Sequence, residues 1–242
     1  MTARVITSFD RAASAYREHA HVQLALGDWL ADWLPAVRTG RALEIGAGPG
    51  LFTQKILDWP EGVTATDISP AMCAAGQLTM PEAAWRVMAA EEPLPGPWDW
   101  IFSSSMLQWI QEPEQVFSSW CACLAPGGRV LAGLFAAESL PELRKLSGGY
   151  DPLVWHTPDE WRAYLARAGL HIVRDDTEQR VFVYDSARDF LRTLHGVGAA
   201  PFRRFTLGRM RRLLHNYEAR FGGTKGVRAT WTFYRFEAEC RR

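Results

Sequence analysis

The sequence predicts an α/β domain built on a mostly parallel sheet with helices on both faces. Three observations carry that expectation. Apolar stretches of strand length alternate with helix-spaced stretches between residues 41 and 135, the pattern of repeated βα units. Three glycines, Gly46, Gly48 and Gly50, stand within five residues just after the first of those strands, the punctuation of a tight strand-to-helix turn. An acid stands at the end of each of the first two strands, Glu44 and Asp67.

Arg41 to Ile45 reads as a short buried strand, and Leu51 to Leu57 has the apolar spacing of a helix. Glycine suits the turn between them because it accepts positive φ and lets a ligand lie against bare backbone. The spacing is Gly-x-Gly-x-Gly, not the Gly-x-Gly-x-x-Gly of a dinucleotide site, and no Lys-Ser/Thr follows to make a phosphate-binding loop. Glu44 would repel a pyrophosphate but could accept hydrogen bonds from an ammonium group. Gly62 to Asp67 reads as the second strand. Asp67 lies twenty-one residues after Gly46, the distance at which a carboxylate meets ribose hydroxyls in a βαβ unit. A nucleoside carrying a cationic amino-acid end is the implied ligand.

Before this unit, Ser8 to Ala20 places Phe9, Ala13, Tyr16 and Ala20 on one helical stripe, and Val22, Leu26, Trp29, Leu30 and Trp33 make a second. Trp29 and Trp33 read as cover for the sheet. Tyr16, with His19 and Gln23 after it, falls where a cap over the nucleoside site would lie, although a purely structural tyrosine fits the same pattern. After Asp67 and Ile68, Ser69-Pro70 opens a helix with serine as cap and proline at the first position, and Met72 is placed to pack near an adenine. Ala83 to Met88 is the third strand and leads to Ala90 and Glu91. Trp98 to Ser103 is the fourth, its tip running into Ser104 and on to Gln108-Trp109. Ligands of open parallel sheets sit beyond the carboxyl ends of the strands, so this tip faces the site. Trp109 is either an aromatic wall for a cation or core filling. A helix over Glu114 to Leu124 and a strand over Arg129 to Phe135 complete five βα units. Farther on, Thr157 to Glu160 is a capping box, Leu170 to Tyr184 a sixth strand, and Ser186 to Leu194 a helix running into His195-Gly196-Val197-Gly198-Ala199. Thr206 to Arg220 is helical, and Arg228 to Phe236 is the seventh strand.

Composition excludes several classes. Lys plus Arg equals Asp plus Glu at 27 each, so overall charge calls for neither nucleic acid nor a polyanion. No apolar run reaches membrane-spanning length, and no signal-peptide pattern opens the chain, which predicts a cytoplasmic protein away from membranes. The four cysteines make no Cys-x-x-Cys pair, which predicts reduced thiols and no metal site. Charge is uneven locally: between Pro201 and Thr230 there are eight basic residues against one acid, Glu218. That excess fits a solvated helix face, an acidic protein partner or nucleic acid.

Strand, Glu44, glycine triplet, helix, strand and Asp67 together resemble the class I S-adenosylmethionine-dependent methyltransferases, which implies a Rossmann-like seven-stranded sheet, mostly parallel with its last strand antiparallel. Elements outside that motif narrow the likeness. Phe9-Asp10-Arg11-Ala12-Ala13 with Tyr16, His19-Ala20 and Gln23, then Gln108-Trp109, Ser139-Leu140-Pro141-Glu142-Leu143 and Leu194 to Ala199 resemble the malonyl-[acyl-carrier protein] O-methyltransferases of biotin synthesis, nearly end to end. The departures are Ser104 where asparagine is frequent, His195 where lysine is, and Ala90 where aspartate is. The resemblance implies a single methyltransferase domain over 1–242, with a helical cap over 1–38, a donor-binding half over 39–136 and an acceptor-side half over 137–242 bearing a basic helical insertion. It implies S-adenosyl-L-methionine bound by Glu44, Gly46, Ala47, Gly48, Gly50, Asp67, Ile68, Met72, Ala90, Glu91 and Ser104. It further implies methyl transfer to the carboxylate of a malonyl thioester on acyl-carrier protein, with Tyr16, Gln108, Trp109 and His195 at the reacting groups and His156 and Arg180 as further candidates by type. The acidic carrier would dock on Arg203, Arg204, Arg209, Arg211 and Arg212. Methylation hides a charge, so elongation enzymes accept the chain until an esterase unmasks it. A carboxylate is already ionised at neutral pH, so no general base is needed, and the expected bonds to the reacting oxygen are neutral or shared. Two other readings stay open: a related methyltransferase acting on a small carboxylate or a phenolic or quinone-like ring, and a non-catalytic donor-binding or RNA-associated protein.

Overall fold

The computed structural model describes residues 3–92, 95–147, 155–199 and 205–241, with side chains from Ile6 onward. Three helices, α1 (Ala3–Ala12), α2 (Tyr16–His19) and α3 (His21–Ala31), precede β1 (Ala42–Ile45). Then follow α4 (Thr53–Ile56), β2 (Val63–Asp67), α5 (Pro70–Thr79), β3 (Ala84–Val87), β4 (Trp98–Ser104), α6 (Pro113–Cys123) and β5 (Leu124–Phe135). The second half holds α7 (Pro141–Ser147), α8 (Pro158–Arg167), β6 (Leu170–Tyr184), α9 (Ala187–Gly196), α10 (Leu207–Phe221), β7 (Gly222–Gly223) and β8 (Gly226–Cys240). The strands lie in the order β3-β2-β1-β4-β5-β8-β6. The first five run parallel, and β8 enters antiparallel between β5 and β6. The expected seven strands are therefore present, together with β7, a two-residue strand that folds back on β8.

Local chemistry explains several boundaries. Ser69 Oγ accepts the Met72 N–H and Pro70 begins α5. Thr157 and Glu160 close a reciprocal capping box at α8, and Ser186 and Thr206 cap α9 and α10. One expectation changes at the amino end. The helix read over Ser8 to Ala20 is broken by a turn in which the Ala15 N–H donates to Ala12 O. The break keeps Ala12 and Ala13 against Met72 while Tyr16 packs beside them.

The central strands of the sheet are buried on both faces, whereas the edge strands β3 and β6 are largely open. Trp120, Phe117 and Trp161 from α6 and α8 pack one side against Phe236. Leu26 and Leu30 of α3 cover the other at Gly133, where a Cβ would already lie 3.3 Å from Leu26 Cδ1. The cysteine expectation is overturned for one pair: Cys121 and Cys240 are joined in a disulfide. The end of α6 meets the end of β8 with the two Cα atoms 5.5 Å apart. A separation of 119 residues hides that juxtaposition from any local reading.

Glu142 ties α7 to β8. Its carboxylate is buried and accepts from Thr230 Oγ1 at 2.6 Å and from the Thr230 N–H at 3.1 Å. Glu142→Ala leaves both donors buried without that partner and should cost about 1 to 3 kcal/mol. Urea denaturation of the variant beside the parent measures it.

Candidate active site

A cleft enclosing about 700 Å³ of space, part of it open to solvent, lies beyond the carboxyl ends of β1, β2 and β4, beneath the amino-terminal helices. Two acids define its floor, Glu44 buried and Asp67 half-buried. Glu44 Oε2 accepts from Thr53 Oγ1 at 2.6 Å, while Glu44 Oε1 is buried with no partner among the described residues. Asp67 accepts the Gly48 N–H at 2.9 Å through Oδ2 and the Ser69 N–H at 2.8 Å through Oδ1. Burial pushes the Glu44 carboxyl up to about 8; the Thr53 bond lowers it and the Asp67 charge raises it. Asp67 is displaced upward too, by burial first, against the pull of its backbone N–H partners.

The glycine turn is shaped by what lies behind it. Gly46 has φ +73°, and a Cβ there would meet Met106 Cγ at 2.2 Å. The bare backbone of the turn thus interlocks with the segment after β4. Gly48, at φ +56°, would meet nothing within 4 Å and exposes its side of the loop to the cavity.

The helical cap is pinned over this floor. Asp10 Oδ1 accepts from Ser69 Oγ at 2.5 Å, and the Arg17 guanidinium donates to Pro49 O at 2.8 Å. Phe9 meets Trp109 edge to face with centroids 5.1 Å apart. Ser8 Oγ donates to Gly198 O at 2.9 Å, and a Cβ on Gly196 would strike the His19 ring. The glycine-rich stretch at the end of α9 is therefore the seat of the cap. The Tyr16 phenol is displaced well upward, mainly by burial and then by the Asp67 charge, so it stays a neutral donor.

Of the sequence-derived candidates, the cavity brings together Tyr16, Glu44, Gly46, Ala47, Gly48, Asp67, Ile68, Met72, Ala90, Ser104 and Trp109. Six do not line it. Gln108 is buried beneath the β4 tip, where Nε2 donates to Ser105 O at 2.7 Å, so it braces the tip and does not face the cavity. His195 is exposed, because the stripe of α9 that turns inward is Phe190 and Leu194. Gly50 packs against Met80 and Trp85, and Glu91 lies outside the lining. His156 packs among Trp161 and Tyr164, and Arg180 pairs with Glu178, both away from the cavity. Phe9, Gln23, Leu51, Phe52, Met88, Ser105 and Met106 also line the cavity. Ser105 adopts φ +61°, a conformation uncommon outside glycine, and no local sequence signal announces it.

Comparison with known proteins places the chain. Residues 43–132 match the family described as a methyltransferase domain. Over 254 residues the chain is 30% identical to a malonyl-[acyl-carrier protein] O-methyltransferase of Geobacter sulfurreducens, covering 95% of each. The chain belongs to the malonyl-[acyl-carrier protein] O-methyltransferase family. It is also 31% identical, over 81% of its length, to the biotin biosynthesis bifunctional protein BioHC of Cellvibrio japonicus, of which it spans 41%. Among solved structures the fold is similar to YcgJ of Bacillus subtilis, with a TM-score of 0.68 at 16% identity over 92% of this chain and 99% of that one. No helix among the described residues is long and apolar enough to cross a membrane.

Glu44 makes the ligand-free fold sensitive to pH. Its carboxyl keeps a proton up to about 8 in the native state but only to about 4.5 when unfolded. Between those values the native state binds the extra proton, so stability should fall as pH rises through that window. Glu44→Gln should flatten the dependence, read from melting temperatures at pH 5 and pH 8.

Proposed function

We propose that this protein transfers a methyl group from S-adenosylmethionine to the free carboxylate of a malonyl thioester on acyl-carrier protein, giving the methyl ester that primes biotin synthesis. The observation that carries this reading is the pair of carboxylates, Glu44 buried and Asp67 half-buried, flanking a bare glycine turn, in a chain of this family. On this reading the enzyme works in the cytoplasm.

The lining fits the donor. Glu44 Oε1, buried without a partner, suits the ammonium group, Asp67 the ribose hydroxyls, and Met72 and Ala90 an apolar adenine slot. When bound, S-adenosylmethionine supplies an electrophilic methyl group on a sulfonium sulfur. Trp109 and Phe9 wall that end of the cavity with aromatic surface, which favours a cation by about 0.5 to 2 kcal/mol. Tyr16 offers its hydroxyl to the acceptor without carrying a charge. The cap held by Asp10 and Arg17 keeps water from the methyl group and aligns the acceptor oxygen. Gln108 acts through Ser105, and the carrier meets the protein elsewhere.

The basic surface of α10 suits the acidic carrier. Arg211 and Arg212 are exposed there, whereas Arg209 is engaged with Ser147 O at 2.8 Å and lies over the Phe205 ring. Arg203 and Arg204 lie outside the described residues. Arg211 and Arg212 are accordingly the better docking candidates.

Three outcomes are expected. Labelled methyl from S-adenosylmethionine should appear on malonyl-carrier protein as an alkali-labile ester and be absent from acetyl-carrier protein. Asp67→Ala should weaken donor binding about ten- to a hundredfold, corresponding to charge-assisted bonds of about 1.5 to 3 kcal/mol; calorimetry reads it, and an unchanged constant refutes the ribose role. Arg211→Glu with Arg212→Glu should raise the KM for carrier-bound substrate and spare a small malonyl thioester, whereas equal loss on both would rule out docking there.

A further inference from the structure

The cavity is one-signed. Among the described residues that line it are two carboxylates, Glu44 and Asp67, and no Lys, Arg or His. An anionic acceptor entering it meets no side-chain cation and must be oriented by neutral donors. Tyr16 is one such donor. The other long one is Gln23, half-buried on α3 and facing the cavity.

The placement of Gln23 follows from its helix. Gly27, one turn later on the same face, lies over the β4 tip, where a Cβ would sit 3.8 Å from Ser104 Oγ and 3.7 Å from the Phe52 ring. That contact lets α3 lie close to the strand ends and carries Gln23 to the cavity wall. Val22 and Leu26 beside it are buried in the core, so the helix is held firmly. Among the described residues no hydrogen bond engages the Gln23 amide. Two N–H donors and a carbonyl are thus available to a ligand.

We propose that Gln23 is a specificity-determining residue for the acceptor, its amide N–H group holding the carboxylate oxygen that does not react. This rests on the reading given under Proposed function. The reacting oxygen then contributes the electron pair of the new O–CH3 bond, the C–S pair returns to sulfur as a neutral thioether, and no proton moves. A neutral amide suits this task better than a guanidinium. A fixed cation would stabilise the ground-state anion and repel the sulfonium, opposing the charge neutralisation of the transition state.

The test compares wild type, Gln23→Met and Gln23→Glu in methyl transfer to malonyl-carrier protein, with donor affinity read by calorimetry. Gln23→Met keeps size and helix propensity. It should raise the acceptor KM about tenfold to a hundredfold, the range for a hydrogen bond to a charged group, and leave donor affinity unchanged. Gln23→Glu should lose more at pH 8 and recover part of it as pH falls toward the carboxyl's own titration, a profile that neither wild type nor Gln23→Met shows. An unchanged acceptor KM in Gln23→Met, or a Gln23→Glu profile parallel to wild type, overturns the assignment. Loss of donor affinity in step with turnover overturns it as well, because Gln23 would then act only on the fold. A wild-type enzyme that binds donor but does not label malonyl-carrier protein would instead remove the underlying reading, and this proposal with it.

Discussion

Glu44 and Asp67 sit at the carboxyl ends of adjacent parallel strands, the first buried and the second half-buried, and the groups that hold them are neutral: Thr53 Oγ1 and the N–H groups of Gly48 and Ser69. Removing carboxylates from water without a counter-charge is costly, and the effect spreads. The Asp67 charge adds to burial in raising Glu44, Tyr16 and the Cys73 thiol, the last to about 11. The folded protein thus keeps an electrostatic debt at one point of its cavity, and a ligand with a cationic end relieves it. Binding such a ligand should draw the Glu44 proton off, so Glu44 is ionised when the site is occupied and protonated at neutral pH when it is empty.

The rest of the architecture holds that point in place. The glycine turn keeps its shape because Met106 fills the space a side chain at Gly46 would need. Met106 follows Ser105, whose left-handed backbone is braced by Gln108 from below. Above, Asp10 and Arg17 fasten the cap to the start of α5 and to the glycine turn, while Ser8 and His19 rest on the glycines at the end of α9. The cap therefore couples the two halves of the chain across the cavity.

A second cluster secures the antiparallel end of the sheet. Arg235 is buried between the rings of Trp29 and Trp33 and bonded to Asp176, and Glu237 receives Arg129 and Arg174 from neighbouring strands. Trp29 and Trp33 read from sequence as cover for the sheet. They are that, but they also provide the aromatic faces on which an arginine is buried, a pairing of residues some two hundred positions apart.

What the amino-acid sequence determined by itself was local or periodic. The βα alternation, the glycine triplet, the acids at the ends of β1 and β2 and the caps at Ser69, Thr157, Ser186 and Thr206 each rest on residues a few positions apart, where propensity and hydrogen-bond reach act directly. Most of the candidates that line the cavity were legible for that reason. Tertiary structure alone decided which side of a helix or loop faces the cavity. It put Gln23 inside and His195 outside, turned Gly50 toward Met80, sank Gln108 beneath the β4 tip and brought Cys121 to Cys240. Each of those outcomes depends on how elements far apart in the chain pack against one another, and side-chain direction is set by that packing rather than by residue type.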